Sequence, residues 1–348
     1  MEIVRTRSFA RAGLLGNPSD GYFGKTLSFA FSNFGVDLSL TESSRMRFVP
    51  GEVDDAMFDS PEQLVRDLRI FGYYGGIRML KAVSKLFFEY CMEHGIEIPR
   101  RNFTAEYKIN IPRLVGLSGS SAICSAMLKA LMRFYNVTIP EEYAPTLCLE
   151  AERDELGINC GYQDRVIQMY NGLVFMDFGK AYLEEHGYGR YERLSPALLP
   201  NMYVAYDPNR AEESGKAHKK VKKLFEQKQP DVISAMSEFA EIAQKGRDAL
   251  VAGRKDEIAS LVNANFDLRD SIFNISEENR RMIRAARSAG ASAKFAGSGG
   301  AIVGTCEDEA QYERLSSVLA EIGCKTIKPL IVESDEVETG DDGIWRNS

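Results

Sequence analysis

Residues 1–60 run as short apolar stretches broken by Gly, Asn and Ser, as in "LSFAFSNFGVDLSL", a pattern that predicts strands and turns. From 61 to 97 the period changes. Leu64, Leu68, Met79, Leu80, Val83, Leu86 and Phe87 recur three and four apart, which predicts helix. "FTAEYKINIP" alternates like a strand and stops at Pro112. After a Gly/Ser segment, the pattern predicts one helix to about Tyr135 and a second from about Glu141 to Gly157, with "GLVFMDF" as a buried strand behind them.

After "EEHGYGRYERLSPALLPN" the pattern starts afresh with a strand-like "MYVAYD" and charged helices through about 289. "SAKFAGSGGAIVGTC" then reads as a Gly-rich turn leading into a strand, followed by a helix near 308–322 and a last strand in "KTIKPLIVE". The acidic end, "SDEVETGDDGIWRNS", reads as loose chain. A length of 348 residues exceeds the roughly 250–300 at which single cores stop growing, so two domains are expected. We set them at 1–192 and 193–348. No internal repeat is visible.

Composition narrows the class. Hydrophobic residues at 44% and charged residues at 27% suit a soluble enzyme, and no apolar run approaches the roughly 20 residues of a membrane span. The start, "MEIVRTRSFARAG", lacks the apolar stretch of a signal peptide, so a cytoplasmic protein is expected. The six cysteines form no C-x-x-C pair and several sit in apolar surroundings, which predicts reduced thiols. His94, His186 and His218 lie apart from one another, which disfavours a nitrogen-ligated metal. A net charge of −7 argues against a nucleic-acid surface, and any anionic ligand must find its positive charge locally.

Three segments carry candidate chemistry. "GLSGSSA" stands between a strand and an apolar helix, where unpartnered backbone N–H groups and the helix dipole attract anions and glycine lets a phosphate approach. A flexible turn with a serine N-cap would look the same. "EAERDELGINCGYQDR" puts Glu152 on a helix and Asp164 at the start of the next; the pair could serve as metal ligand and base, or as ordinary helix charges. "KFAGSGGAIVG" is a glycine cluster opening into a strand, also readable as a hairpin turn. By contrast "GYFGKTLS" is no P-loop, because Ser19 stands where the Walker pattern needs its first glycine.

Taken as a set these segments resemble the GHMP superfamily of sugar and small-molecule kinases. "RAGLLGNPSD" is similar to its first motif, "PRLVGLSGSSA" to its phosphate loop, "AERDELGINCGYQD" to its metal and base segment, and "KFAGSGGA" to its third motif. Within the superfamily the chain is most similar to plant-type glucuronokinases, also through "GYYGG". The resemblance implies an α+β fold: an N-terminal β-α-β domain with a left-handed crossover and a C-terminal ferredoxin-like domain. It implies ATP and Mg²⁺, and phosphorylation of the anomeric hydroxyl of D-glucuronate. Alternative acceptors are galacturonate, arabinose, a heptose phosphate or mevalonate; a non-catalytic sugar-binding relative is the other alternative. No nucleic acid or membrane partner is expected, and the chain is expected to be a monomer or homodimer.

Carried over by residue, the resemblance gives the ATP phosphates to Pro112, Gly116, Leu117, Ser118, Gly119, Ser120, Ser121 and Ala122, and Mg²⁺ to Ser120 or Ser121 with Glu152. Asp164 is the implied catalytic aspartate and Arg11 its cationic neighbour. Asp20, Asn17 and Tyr74 are implied at the acceptor, with Gly297, Ser298, Gly299 and Gly300 closing over it. Arg113, Arg165, Tyr73 and Tyr74 are candidates for holding a sugar acid. A valine at Gly119 is expected to intrude on phosphate space.

Overall fold

In the computed structural model of the chain, residues 3–51, 54, 75–209 and 215–332 are described, with side chains from 220 onward in the last span. The first motif and the strand pattern after it form a long antiparallel hairpin of β1 (Ile3–Leu15) and β2 (Lys25–Ser43). From Ser8 onward β1 is buried throughout, as a strand covered on both faces must be. Then come β3 (Arg47–Phe48), helix α1 (Gly76–Glu93), β4 (Asn102–Ile109), α2 (Gly119–Tyr135), α3 (Ala144–Glu150), α4 (Gln163–Tyr170), β5 (Leu173–Asp177), α5 (Lys180–His186) and β6 (Arg190–Leu194).

The strands make one sheet in the order β3-β4-β2-β5-β6, with β1 beside β2. Since β4 and β5 each pair antiparallel with β2, they run parallel to each other, and α2 to α4 form the crossover between them. This is the expected β-α-β unit. Helix α2 is apolar nearly all round and almost wholly buried, which fixes its N-terminus rigidly against the sheet.

The first sheet ends at Leu194 and a second begins with β7 (Met202–Tyr206). Helices α6 (Gly215–Glu226), α7 (Pro230–Val251), α8 (Glu257–Ile272) and α9 (Glu277–Ser288) precede β8 (Lys294–Phe295) and β9 (Ala301–Thr305), with α10 (Glu309–Ala320) before β10 (Lys325–Ile327). The sheet is antiparallel in the order β10-β7-β9-β8, the ferredoxin-like arrangement expected.

Two differences from the pattern reading have local causes. The helix expected from 141 to 157 is α3 followed by a π-helical turn, Ala151–Glu155, a form concentrated at functional positions. The last strand is cut to Lys325–Ile327, ahead of Pro329, which has no N–H for a ladder. The helical pattern through Leu64 and Leu68, Tyr73 and Tyr74, and the acidic end from 334 lie outside the described residues.

The two halves are not separate cores. One apolar cluster joins Phe31 and Leu131 of the first half to Met202, Val204, Leu250 and Val262 of the second. A second cluster is confined to the C-terminal half, around Tyr203, Phe239, Phe295 and Leu315. A register shift in the β1–β2 hairpin sets Ser32 and Asn33 outside its ladder, where they bond the chain's far end: the Ser32 amide donates to Leu330 O at 2.8 Å and the Leu330 amide to Asn33 Oδ1 at 2.7 Å. Ile331 bridges Phe31, and Val332 packs with Phe9 and Ala30. No helix among the described residues is long and apolar enough to cross a membrane.

Candidate active site

The turn before α2 is left-handed at Gly116 (φ 76°) and Ser118 (φ 64°). A Cβ on Gly116 would stand 2.7 Å from Gly299 O, so glycine is required there for space as well as for conformation. No side chain caps α2, and its first bond runs from the Ala122 amide to Ser118 O at 3.1 Å. The amides of Gly119, Ser120 and Ser121 therefore have no intrahelical partner, at the positive end of a 17-residue helix.

Asp164 lies in the first turn of α4 and faces this turn. Its Oδ1 accepts from Arg11 Nε at 2.7 Å and its Oδ2 from the Ser118 hydroxyl at 2.5 Å, with Arg165 Nη1 at 3.8 Å. Burial pushes the Asp164 carboxyl up, but Arg11, Arg165 and the Ser118 hydroxyl together outweigh burial and hold it below the ordinary aspartate value. Arg11 is 4% exposed and also donates to Gly116 O at 2.6 Å and Ala296 O at 3.0 Å, tying the carboxylate to both loops. Ser118 adopts the left-handed conformation at a cost of about 1–2 kcal/mol. A hydrogen bond to a charged group, worth about 1.5–3 kcal/mol, offsets that cost.

Glu152 sits on the π-helical turn with no exposure. Arg165 donates to its Oε2 from Nε at 2.7 Å and from Nη2, and to Gly161 O from Nη1 at 2.8 Å. Glu152 Oε1 is buried and has no hydrogen-bond partner. An unpartnered carboxylate oxygen, lining the same cavity as the hydroxyls of Ser120 and Ser121, is an all-oxygen set that fits a hard divalent cation. Among the described residues no group of three or more His, Cys, Asp and Glu is placed to hold a metal ion.

Asp20 accepts from the amide and Nε2 of Gln163 at 3.1 and 3.2 Å. Burial, and then the charge of Asp164, push its carboxyl up to about 6. Asn17 is fixed by Lys294, whose buried Nζ donates to Asn17 Oδ1 at 2.5 Å, Gly13 O at 2.5 Å and Phe295 O at 2.8 Å. These acceptors match the donors of an ammonium, although burial, with Arg269 and Arg11 nearby, pushes the amine well below the ordinary lysine value. Arg269 Nη1 and Nη2 hold Gly297 O and Ser298 O at 2.8 and 3.1 Å, which orients the third motif.

All of these groups except Lys294, which stands behind Asn17, line one cavity of about 380 Å³ between the halves. Of the residues expected from sequence, Arg11, Asn17, Asp20, Pro112, Gly116, Leu117, Ser118, Gly119, Ser120, Ser121, Glu152, Asp164, Gly297 and Ser298 line it. Ala122, Gly299 and Gly300 stay behind the lining. Gly299 O abuts Gly116, and the Gly300 amide donates to Asn279 Oδ1 at 3.2 Å. Tyr74 lies outside the described residues. Two expectations are corrected. Arg165 commits its guanidinium to Glu152 and Gly161, so it does not serve a sugar acid. A Cβ on Gly119 would meet Ile109 Cδ1 at 3.3 Å and Ile111 Cγ2 at 3.8 Å, so valine there presses on the apolar side and not on phosphate space.

Sequence reading missed Gln163, Tyr22, Lys222 and Arg269, which also line the cavity. Gln163 could have been suspected from its place beside Asp164. The others arrive only through packing: Tyr22 sits edge-on to Phe225 of α6, 4.9 Å between ring centres, and α6 carries Lys222. The lining holds six cations, Arg11, Arg113, Arg153, Arg165, Lys222 and Arg269, against the carboxylates Asp20, Glu152 and Asp164. An acidic chain thus concentrates positive charge where an anion would bind.

An uncapped helix end, a carboxylate bonded to the Ser118 hydroxyl and an unpartnered carboxylate oxygen meet between a β-α-β half and a ferredoxin-like half. Residues 78–172 match the GHMP kinases N terminal domain and residues 247–323 the GHMP kinases C terminal domain. The chain belongs to the GHMP kinases, ATP-dependent enzymes that phosphorylate an alcohol. It is 46% identical over 313 residues to probable glucuronokinase 2 of Arabidopsis thaliana, spanning 88% of this chain and 85% of that one. It is 41% identical over 334 residues to glucuronokinase 1 of the same plant, spanning 94% and 91%. Its fold matches that of Lactococcus lactis galactokinase complexed with galactose, with a TM-score of 0.75 at 16% identity over 95% of this chain and 94% of that one.

Proposed function

We propose that this chain transfers the γ-phosphoryl group of ATP to the anomeric hydroxyl of D-glucuronate, giving the 1-phosphate. The observation that carries this reading is the contact of Ser118 with Asp164, which brings an anion-binding helix end and a hydroxyl-directed carboxylate to one point. The similarity to two glucuronokinases supports the choice of acceptor.

The phosphates lie against the amides of Gly119, Ser120 and Ser121. Phosphoryl transfer through a loose transition state depends on alignment and charge neutralisation more than on strong base catalysis. A carboxylate held below its ordinary pKa suits that demand: Asp164 stays ionised, orients the attacking hydroxyl and receives its proton as the new P–O bond forms and the bond from the γ-phosphorus to ADP breaks. Glu152 Oε1 with the hydroxyls of Ser120 and Ser121 would hold Mg²⁺, which when bound supplies neutralisation of the phosphate oxygens. Asp20, with Gln163 behind it, accepts from sugar hydroxyls. Lys222, on the wall of the cavity, supplies the charge for the acceptor's carboxylate.

The test is ADP release with D-glucuronate, D-galacturonate, galactose, mevalonate and a heptose phosphate as acceptors, with the product checked for loss of its reducing end. Preference for galactose or mevalonate, or ATP turnover that ignores every sugar acid, would refute the proposal.

A further inference from the structure

Ser118 is the one residue of the phosphate turn that α4 grips at two points. Asp164 takes its hydroxyl at 2.5 Å, and Gln168, one turn further along and fully buried, donates from Nε2 to its carbonyl at 2.9 Å. The same Gln168 nitrogen donates to Phe9 O at 3.1 Å, fixing the grip to β1. The side chain makes this contact from a left-handed backbone that favours glycine. A phosphate cradle of backbone amides needs no hydroxyl at this position, so the serine side chain answers to Asp164.

We propose that Ser118 is a positioning residue of the phosphotransfer site, its hydroxyl fixing the plane of the Asp164 carboxylate in register with the helix end that receives the phosphates. Arg11 holds one end of the carboxylate and Ser118 the other, so the group cannot rotate. Each carboxylate oxygen carries two lone pairs, and Oδ2 retains one for the attacking hydroxyl beside the one Ser118 occupies. Ser118 exchanges no proton with the substrate. This inference rests on the kinase reading above.

Glycine fits the left-handed position better than serine does, so Ser118→Gly removes the hydroxyl without straining the turn. Ser118→Ala removes the hydroxyl and keeps the strain. Both variants are expected to lose about 10- to 100-fold in kcat, the size of one hydrogen bond to a charged group, with KM for ATP within about two-fold. The charged groups facing Asp164 are Arg11 from β1, Arg165 on its own helix and Asp20 from the turn after β1. With these unchanged, loss of the Ser118 hydrogen bond destabilises the carboxylate, so the acidic limb of the kcat profile moves to higher pH in both variants. A purely structural serine would leave that limb in place.

Wild-type kcat and an unmoved acidic limb in Ser118→Gly would overturn the inference. So would a loss seen in Ser118→Ala and absent from Ser118→Gly, which would assign the effect to backbone strain. Wild-type protein that phosphorylates no acceptor, assayed in parallel, would instead count against the kinase reading.

Discussion

Arg165 closes on one oxygen of Glu152 and leaves the other buried with nothing to accept from. The ion pair commits one oxygen of the carboxylate to the fold and leaves the second unpartnered, in a residue that lines the cavity. Replacing Glu152 by Gln removes the charge that compensates a buried guanidinium, a loss of about 3 kcal/mol expected to appear as a lower Tm. It also removes the anionic oxygen, so the Mg²⁺ concentration for half-maximal rate should rise by about ten-fold or more. A Mg²⁺ titration unchanged from wild type would exclude Glu152 from the cation site.

Asp164→Asn keeps the hydrogen bond from Ser118 or Arg11 but cannot receive a proton. Its kcat should fall by about 100-fold or more, the usual scale for a positioned proton acceptor, while calorimetric ATP affinity stays near wild type. An unaltered rate would remove Asp164 from the chemistry.

Asp20 titrates near 6 in the fold, above the roughly 3.9 of an unfolded chain, because burial and Asp164 both oppose its charge. A raised acid contributes stability that is fully present below pH ~4 and is lost as pH rises through about 6. Asp20→Asn should therefore flatten the dependence of Tm on pH between about 4 and 6 relative to wild type. A slope identical in both proteins would mean that Asp20 does not carry it.

Lys222 has no ion pair with a carboxylate among the described residues, and it lines the cavity from the helix whose Phe225 meets Tyr22. Lys222→Ala is expected to raise KM for D-glucuronate by about ten-fold, one charge-assisted hydrogen bond, and to leave KM for ATP unchanged. Equal effects on both substrates would point to a general loss of cavity charge.

Gly116→Ala meets two obstacles, a φ of 76° and Gly299 O at 2.7 Å from the new Cβ. It should lower Tm and raise KM for ATP, because the phosphate turn must move off the third motif. A crystal structure of the variant with the turn undisplaced would contradict this.

Much of the fold was legible because its signals are local. The end of α2 at Tyr135, the strand within "MYVAYD" and Asp164 in a first turn follow from apolar spacing and from residues close in sequence. Polar pairs far apart in the chain left no such mark. Ser118 and Asp164 stand 46 residues apart, and Asn17 and Lys294 stand 277 apart, so only packing brings them together. Arg165 looked free for a ligand because sequence gives a residue's charge and not its counterion. Lys222 sits on a helix whose spacing predicts an amphipathic element, with no hint that its face borders a cavity.

The bond between Leu330 and the out-of-ladder residues of the first hairpin bears on how this protein is made. Val332 packs with Phe9 and Ala30, so a sheet begun by β1 is covered by residues that follow it some 300 positions later in the chain. A nascent chain leaves that contact unmade until residues 330–332 have emerged. Stopping translation after residue 327 should leave an aggregation-prone product, even though every group of the cavity has by then been made.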